Sequence, residues 1–246
     1  MGIDLGGTSR SVSKLTTWQT KTTGHQPTCL PYESTYEARV RRFYPIILLF
    51  IAACGSAATA PVREYTGPLH APRSYASADF AIDHRITAIH AEGQESFRAL
   101  LEKAGDSLTI VGLGPHGSRA FTLTQEGTEV RFESNLPREL PFPPRYVLID
   151  VHRTWLVGLD RVLPDGNHES TTEESGEVES ILDTWADGRL IERTFRPVGE
   201  TDGVIHIRYE GGLSPDPSAP SPTRIELENE RFGYRLVMEN ITRTAI

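Results

Sequence analysis

From about Ile82 onward the chain alternates apolar and polar side chains in short runs separated by turn pairs: Glu92-Gly93, Gly105-Asp106, Glu126-Gly127, Asp187-Gly188 and Asp202-Gly203. Such pairs are hairpin signals, because glycine and its acidic neighbour tolerate the backbone conformations that tight turns need. Phe97, Ala99 and Leu101 share one strand face, followed by Leu108 and Ile110, Phe121 and Leu123, and Val130 and Phe132. Arg98, Glu102, Arg119, Arg131 and Glu133 fall largely on the other face. One apolar and one wet face predict an antiparallel sheet. Residues 94–104 also place Phe97, Leu100, Leu101 and Ala104 along one side of a helix. The hairpin turns on both flanks make this stretch a strand.

The pattern breaks at the proline-rich run from Leu136 to Pro144, which cannot lie in a central strand. In RYVLIDVHRTWL, Arg145 to Leu156, the side chains Val147, Leu148, Val151 and Trp155 recur at helical spacing behind Pro143-Pro144, a suitable helix entry. The acidic run from Asp165 to Glu179 reads as a loop or a solvated strand edge. A second block of strands follows: Val178 to Trp185, Leu190 to Phe195, Val204 to Tyr209, Thr223 to Glu228 and Tyr234 to Glu239. Within it, Gly211 to Pro222 is a long proline-rich loop, either functional or a hairpin tip. Strands, one helix, then strands bury both apolar surfaces if a single antiparallel sheet curls and the helix covers its concave side. The expected fold class is therefore mainly β (α+β), a curled antiparallel sheet with one helix.

Upstream, RRFYPIILLFIAACGSAATA runs from Arg41 to Ala60. Its apolar block, Phe43 to Ala53, is too short for a helix that crosses a bilayer, which takes about 20 residues. A basic flank, a short apolar core and small residues before a cut site describe a secretory signal peptide. Ile51-Ala52-Ala53-Cys54 resembles the lipobox of bacterial lipoproteins. That resemblance implies cleavage between Ala53 and Cys54 and acylation of Cys54, so that the lipid bilayer itself is a partner. The alternative is a buried core segment carrying a free thiol. More than one acyl chain makes attachment lasting, at about 0.8 kcal/mol per buried methylene. Residues 1–39 are rich in Ser and Thr and lack an apolar period, which favours disorder or a translation start at Val40. Gly2-Ile3-Asp4-Leu5-Gly6-Gly7-Thr8 resembles the phosphate loop of actin-like sugar kinases, but nothing downstream supplies their two-domain cleft. The expected organisation is 1–39 extension, 40–53 signal peptide, 54–72 tether rich in Ala, Pro and Gly, and 73–246 folded domain.

Cleavage before Cys54 removes six basic and three acidic residues, leaving 19 Lys+Arg against 30 Asp+Glu, a net charge of −11. This disfavours nucleic acid and anionic membrane patches as partners. Besides Cys54 the only other cysteine is Cys29, so the mature chain has neither a disulfide nor a thiolate metal site to stabilise it, and packing must serve.

Candidate chemistry is sparse. Gly112, Gly114 and Gly117 spell GxGxxG, which binds a dinucleotide only when it closes a strand and opens a helix. Pro115 and the alternating Arg119 to Gln125 make it a hairpin loop instead. There is no G-x-S-x-G elbow. His84, His90, His116, His152, His168 and His206 show no H-E-x-x-H spacing, so neither a metal nor a cofactor is expected. Asp150 and His152 are two apart on the helix and do not face each other; Asp150 is expected to meet Arg153 or Thr154. His206 alternates with Val204 and Arg208 on the less apolar sheet face.

A family resemblance rests on three segments: IVGLGPHGSRAFTL (Ile110 to Leu123), LPRELPFPPRYVLIDVHRTW (Leu136 to Trp155) and IELENERFGYRLVMENI (Ile225 to Ile241). Over roughly Tyr75 to Ile241 the chain resembles an uncharacterised family of bacterial lipoproteins, similar to LolB and often encoded beside aryl polyene synthesis genes. The resemblance implies an open β-barrel with a helical lid, as in the carriers LolA and LolB, and an interior suited to acyl chains. It also implies outer-membrane anchoring facing the periplasm, since Gly55 and Ser56 stand where an aspartate would retain a lipoprotein in the inner membrane. LolB hands over lipoproteins through an exposed loop leucine. The loop leucines here are Leu113 and Leu213, and no motif aligns either with it.

The apolar faces supply the candidate lining residues Phe97, Leu101, Ile110, Phe121, Leu123, Phe132, Leu148, Trp155, Ile205, Ile207, Leu227 and Leu236. They line a cavity or fill one another in a core; periodicity does not separate the two. Three function classes follow: a non-enzymatic carrier of acyl-bearing molecules or lipoproteins, a scaffolding lipoprotein that binds a protein partner, and a lipid hydrolase. The last is disfavoured for want of a nucleophile and base pair.

Overall fold

The computed structural model describes residues 64–114, 116–136 and 143–246; the lipobox, with Ala53 and Cys54, and residues 137–142 lie outside them. Among the described residues, eleven strands form one antiparallel sheet packed on one α-helix. The first meander comprises β1 (Phe80–His90), β2 (Gly93–Ala104), β3 (Ser107–Leu113), β4 (Arg119–Glu126) and β5 (Glu129–Ser134). The helix α1 (Pro144–Trp155) follows. The second meander is β6 (Gly166–Glu174), β7 (Glu177–Ala186), β8 (Arg189–Pro197), β9 (Ile205–Leu213), β10 (Arg224–Asn229) and β11 (Tyr234–Ala245). The meanders join where β1 pairs with β11, from Phe80 opposite Ala245 to Ile89 opposite Arg235, giving the order β5-β4-β3-β2-β1-β11-β10-β9-β8-β7-β6. The edge strands β5 and β6 do not pair with each other, so the sheet stays open.

This is the fold class expected from alternation. Residues 94–104 are a strand, as the flanking turns require, with Ala99 and Leu101 buried between exposed Arg98, Leu100 and Glu102. The GxGxxG stretch is a hairpin connection between β3 and β4, closed by the Gly114 amide donating to the Ser118 carbonyl at 2.8 Å. The acidic run turns out differently from a solvated edge. Its first part is the exposed edge strand β6, but Glu174, Glu177 and Glu179 are buried. On β7 the inward positions are Glu177, Glu179, Ile181, Asp183 and Trp185, while Val178 and Leu182 are exposed. The polarity is inverted because arginines from elsewhere meet these carboxylates inside: Arg231 pairs with Glu177, Arg153 with Glu179 at 2.6 Å and Arg193 with Asp183 at 2.7 Å.

The helix is anchored at its C-terminal end, where four carbonyls of any helix lack intrahelical partners. Arg193 donates to the carbonyls of Arg153 and Val157, and the Tyr209 hydroxyl donates to that of Thr154 at 2.9 Å. Residues 65–76 strap the opening of the sheet. The Gly67 amide donates to the Ser175 carbonyl at 2.7 Å, and Arg145 of the helix donates to the Gly67 carbonyl and to Ser175 Oγ. Tyr65 and Leu69 are buried, with the Tyr65 ring edge-on to Tyr146 at 5.2 Å. The tether expected to reach residue 72 is therefore packed onto the fold from Tyr65.

Candidate functional site

Inward-facing side chains of the two meanders differ in size, and the cavity follows from that difference. The second meander fills its concave side with Trp185, Phe195, Tyr209, Leu190, Ile207 and Leu227, each at most 1% exposed. The first turns Ala88, Ala99 and Ala120 toward the helix, and they leave a cavity of about 470 Å³ between α1 and strands β1–β4 and β11. Its buried floor includes His84, Ala99, Leu101, Ile110, Phe121, Asp150, Thr154, Trp155 and Met238. Its half-buried or exposed rim includes Ala88, His90, Glu95, Ser96, Leu113, Gly114 and Leu136. Val147, Asp150, Val151 and Thr154 reach it from one face of the helix, at the i, i+3 and i+4 spacings that align side chains. A space of this size and lining is what small-molecule sites offer: mostly apolar walls with a few placed polar groups.

Six of the twelve candidate lining residues meet in this cavity: Phe97, Leu101, Ile110, Phe121, Trp155 and Leu236. Leu123, Leu148, Ile205, Ile207 and Leu227 are instead packed in the filled core, and Phe132 is half-buried on the edge strand against the Phe121 ring, 6.0 Å between centroids. Leu113 is half-buried on the cavity rim and Leu213 is buried at the end of β9, so neither is an exposed, protruding leucine. The sequence alone did not single out Ile86, Ala88, Ala120, Val147, Val151 or Met238 as lining. Apart from Ala120, which follows from the register shift between Gly112 and Leu113 and adjoins the inward Phe121, their inward phase is legible from strand and helix periods; the space they face is not.

Two titratable groups sit on the floor. Asp150 meets Arg153 at 3.5 Å, accepts a hydrogen bond from the Tyr234 hydroxyl, and through its backbone carbonyl accepts one from Thr154 Oγ1 at 2.6 Å. Burial pushes its carboxyl up to about 6, against the opposing pull of Arg153 and Tyr234. His84 is 4% exposed, its ring 6.2 Å from that of Trp155, and its Nδ1 has no hydrogen-bond partner in the protein. Burial pushes it down to about 4, against the opposing pull of Asp83, so the ring is neutral at pH 7.

Beside the cavity, a polar seam closes the strap onto the helix. His152 Nε2 faces Gln125 Oε1 at 2.8 Å and Nδ1 faces Glu174 at 3.1 Å. The Gln125 amide nitrogen donates to the carbonyls of His70 and Gly127, which orients its oxygen toward His152. Glu174 also accepts from the Tyr75 hydroxyl and the His70 amide. Burial alone would raise its carboxyl, but the hydrogen bond and charge of His152, with the hydrogen bonds from Tyr75 and the His70 amide, together hold Glu174 below the usual range. Both ring nitrogens of His152 face acceptors, so this is a structural lock with no atom left to act on a substrate. Among the described residues no group of three or more His, Cys, Asp or Glu side chains is arranged to hold a metal, and no helix is long and apolar enough to cross a membrane.

Residues 81–242 match the family described as Protein of unknown function (DUF3261), and the chain belongs to it. A search of curated proteins finds no sequence match. Solved structures that resemble this one include a LolA superfamily protein, NE2245, from Nitrosomonas europaea, at 13% identity and TM-score 0.40, covering 71% of this chain and 89% of that one. Another is a putative outer membrane lipoprotein-sorting protein domain from Vibrio parahaemolyticus, at 7% identity and TM-score 0.34, covering 68% and 86%. A third is a DUF1329 family protein from Desulfovibrio piger, at 11% identity and TM-score 0.34, covering 67% and 85%.

Proposed function

We propose that this protein is a carrier lipoprotein of the bacterial cell envelope, binding acyl-bearing hydrophobic molecules between its helix and the first meander and passing them on without making or breaking bonds. The observation that carries the reading is the cavity of about 470 Å³ with apolar walls, in a domain whose other half is filled by its own side chains. A core that only had to be stable would be packed on both sides, since interiors approach crystalline density and voids destabilise. Acylation of Cys54 at the lipobox would hold the domain at the outer membrane, facing the periplasm. A genomic neighbourhood containing an acyl carrier protein or ketosynthase gene would place its cargo in the aryl polyene context.

Two measurements test this. Native mass spectrometry of the purified chain carrying Cys54→Ser should show a bound species of lipid mass that is released on raising the collision energy. A lipid-free spectrum together with a stable protein complex would favour the scaffolding alternative. Radiolabelled palmitate should enter the native chain and not the Cys54→Ser variant. Equal fractionation of the two would remove the anchor.

A further inference from the structure

The charges around the cavity restrict what can enter it, an argument that rests on the carrier reading and narrows it. The described lining residues include two carboxylates, Asp150 on the floor and Glu95 on the rim, and neither lysine nor arginine. An anionic head group on the floor would be stripped of water and would lie near the Asp150 carboxylate, while the described guanidinium beside that carboxylate, Arg153, is not among the lining residues and is already met by Glu179 and Asp150. A hydrogen-bonding group is nevertheless provided there. His84 lies on the floor at the point where the β1–β11 register shifts between Asp83 and Arg85, 4% exposed, with Nδ1 unpartnered. Nearly all buried polar atoms have a partner; Nδ1 as placed is enclosed by protein, and with no bond holding it there the imidazole can turn to present that nitrogen to an oxygen supplied by the occupant. A neutral imidazole offers one donor and one acceptor, which suits a hydroxyl or ester oxygen.

We infer that the cavity selects an uncharged acyl chain carrying a hydroxyl or ester oxygen, that this oxygen is bound at His84, and that free fatty acids and phosphate head groups are excluded from the floor. The experiment displaces N-phenyl-1-naphthylamine from the full chain at pH 8 with dodecan-1-ol, laurate or dodecane, and records the imidazole 15N resonances of His84 with each. Dodecan-1-ol is expected to bind about tenfold more tightly than laurate and to move the His84 15N signals, which dodecane leaves in place. In His84→Phe the affinity for dodecan-1-ol relative to dodecane should fall about fivefold, dodecane binding being retained. The comparison of laurate with the alcohol in the unaltered protein, and its 15N shifts, decide the matter even if that variant does not fold. Equal binding of all three with unmoved 15N signals would overturn the inference and leave the carrier reading standing. Failure of every probe to bind would overturn the carrier reading itself.

Discussion

Arg153 and Arg193 lie in the interior at 1% and 0% exposure, each with a carboxylate in hydrogen-bonding contact. Removing one member of such a pair leaves a charge buried without compensation, a loss of about 3–5 kcal/mol. Arg153→Met should therefore lower the unfolding free energy by about that amount, and Arg153→Met with Glu179→Leu should recover most of it, as read by urea denaturation. The two floor residues give opposite pH signatures. His84 has its folded value depressed from 6.5 to about 4, so its contribution is complete above 6.5 and is lost as the pH falls toward 4. Asp150 has its folded value raised from 3.8 to about 6, so its contribution is complete below 3.8 and is lost as the pH rises through 6. The two largely offset each other between pH 4 and 6.5. Asp150→Asn should make the protein lose stability steeply on acidification across that window, and His84→Phe should make it gain stability there. Thermal melts between pH 4 and 7.5 that show the same slope for both variants would contradict these assignments. Asp150 beside Arg153 is readable from helix spacing. Glu179 as the partner of Arg153 is not, because 26 residues separate them and a glutamate on a strand reads as solvated.

At the level of elements, α1 is held by side chains of strands far from it in sequence, and the strap by contacts across the opening of the sheet. Gly67 approaches the backbone of Ser175 and Gly176 so closely that an added Cβ would lie 2.3 Å from the Gly176 nitrogen. Since backbone rather than a flexible side chain is in the way, Gly67→Ala should unseat the strap and cost about 2 kcal/mol or more. Proteolysis near residue 67 and a lowered melting temperature are the expected results; an unchanged melt would mean the strap contributes little. His152→Ala should cost up to about 3–5 kcal/mol, the loss on breaking a buried pair, because the buried Glu174 carboxylate loses the facing ring and Gln125 Oε1 loses its partner. The strands and the helix were legible because alternation and helical spacing are local signals read within a few residues. The strap was not, since Ala, Pro and Gly resemble a linker and its partner Glu174 is 104 residues beyond His70.

For the whole molecule, the decisive asymmetry is a filled second meander beside a hollow first one. Periodicity identifies which side chains turn inward: of the twelve positions it names, six line the cavity and the others lie in the filled core or, like Phe132, half-buried on an edge strand. It cannot report whether facing side chains meet, because that depends on the distance between sheet and helix. Ala88, on the rim, offers a way to close the space: Ala88→Phe should lower the affinity for N-phenyl-1-naphthylamine at least about tenfold, while leaving stability unchanged or raised by about 0.5–2 kcal/mol as cavity filling does. The most direct test of an occupied cavity is photo-crosslinking with a diazirine-bearing fatty alcohol, followed by peptide mapping. The account predicts adducts on Val147, Val151, Phe121 and Leu236, which line the space. Adducts confined to the exposed outer positions Val178, Leu182 and Val198 would contradict it.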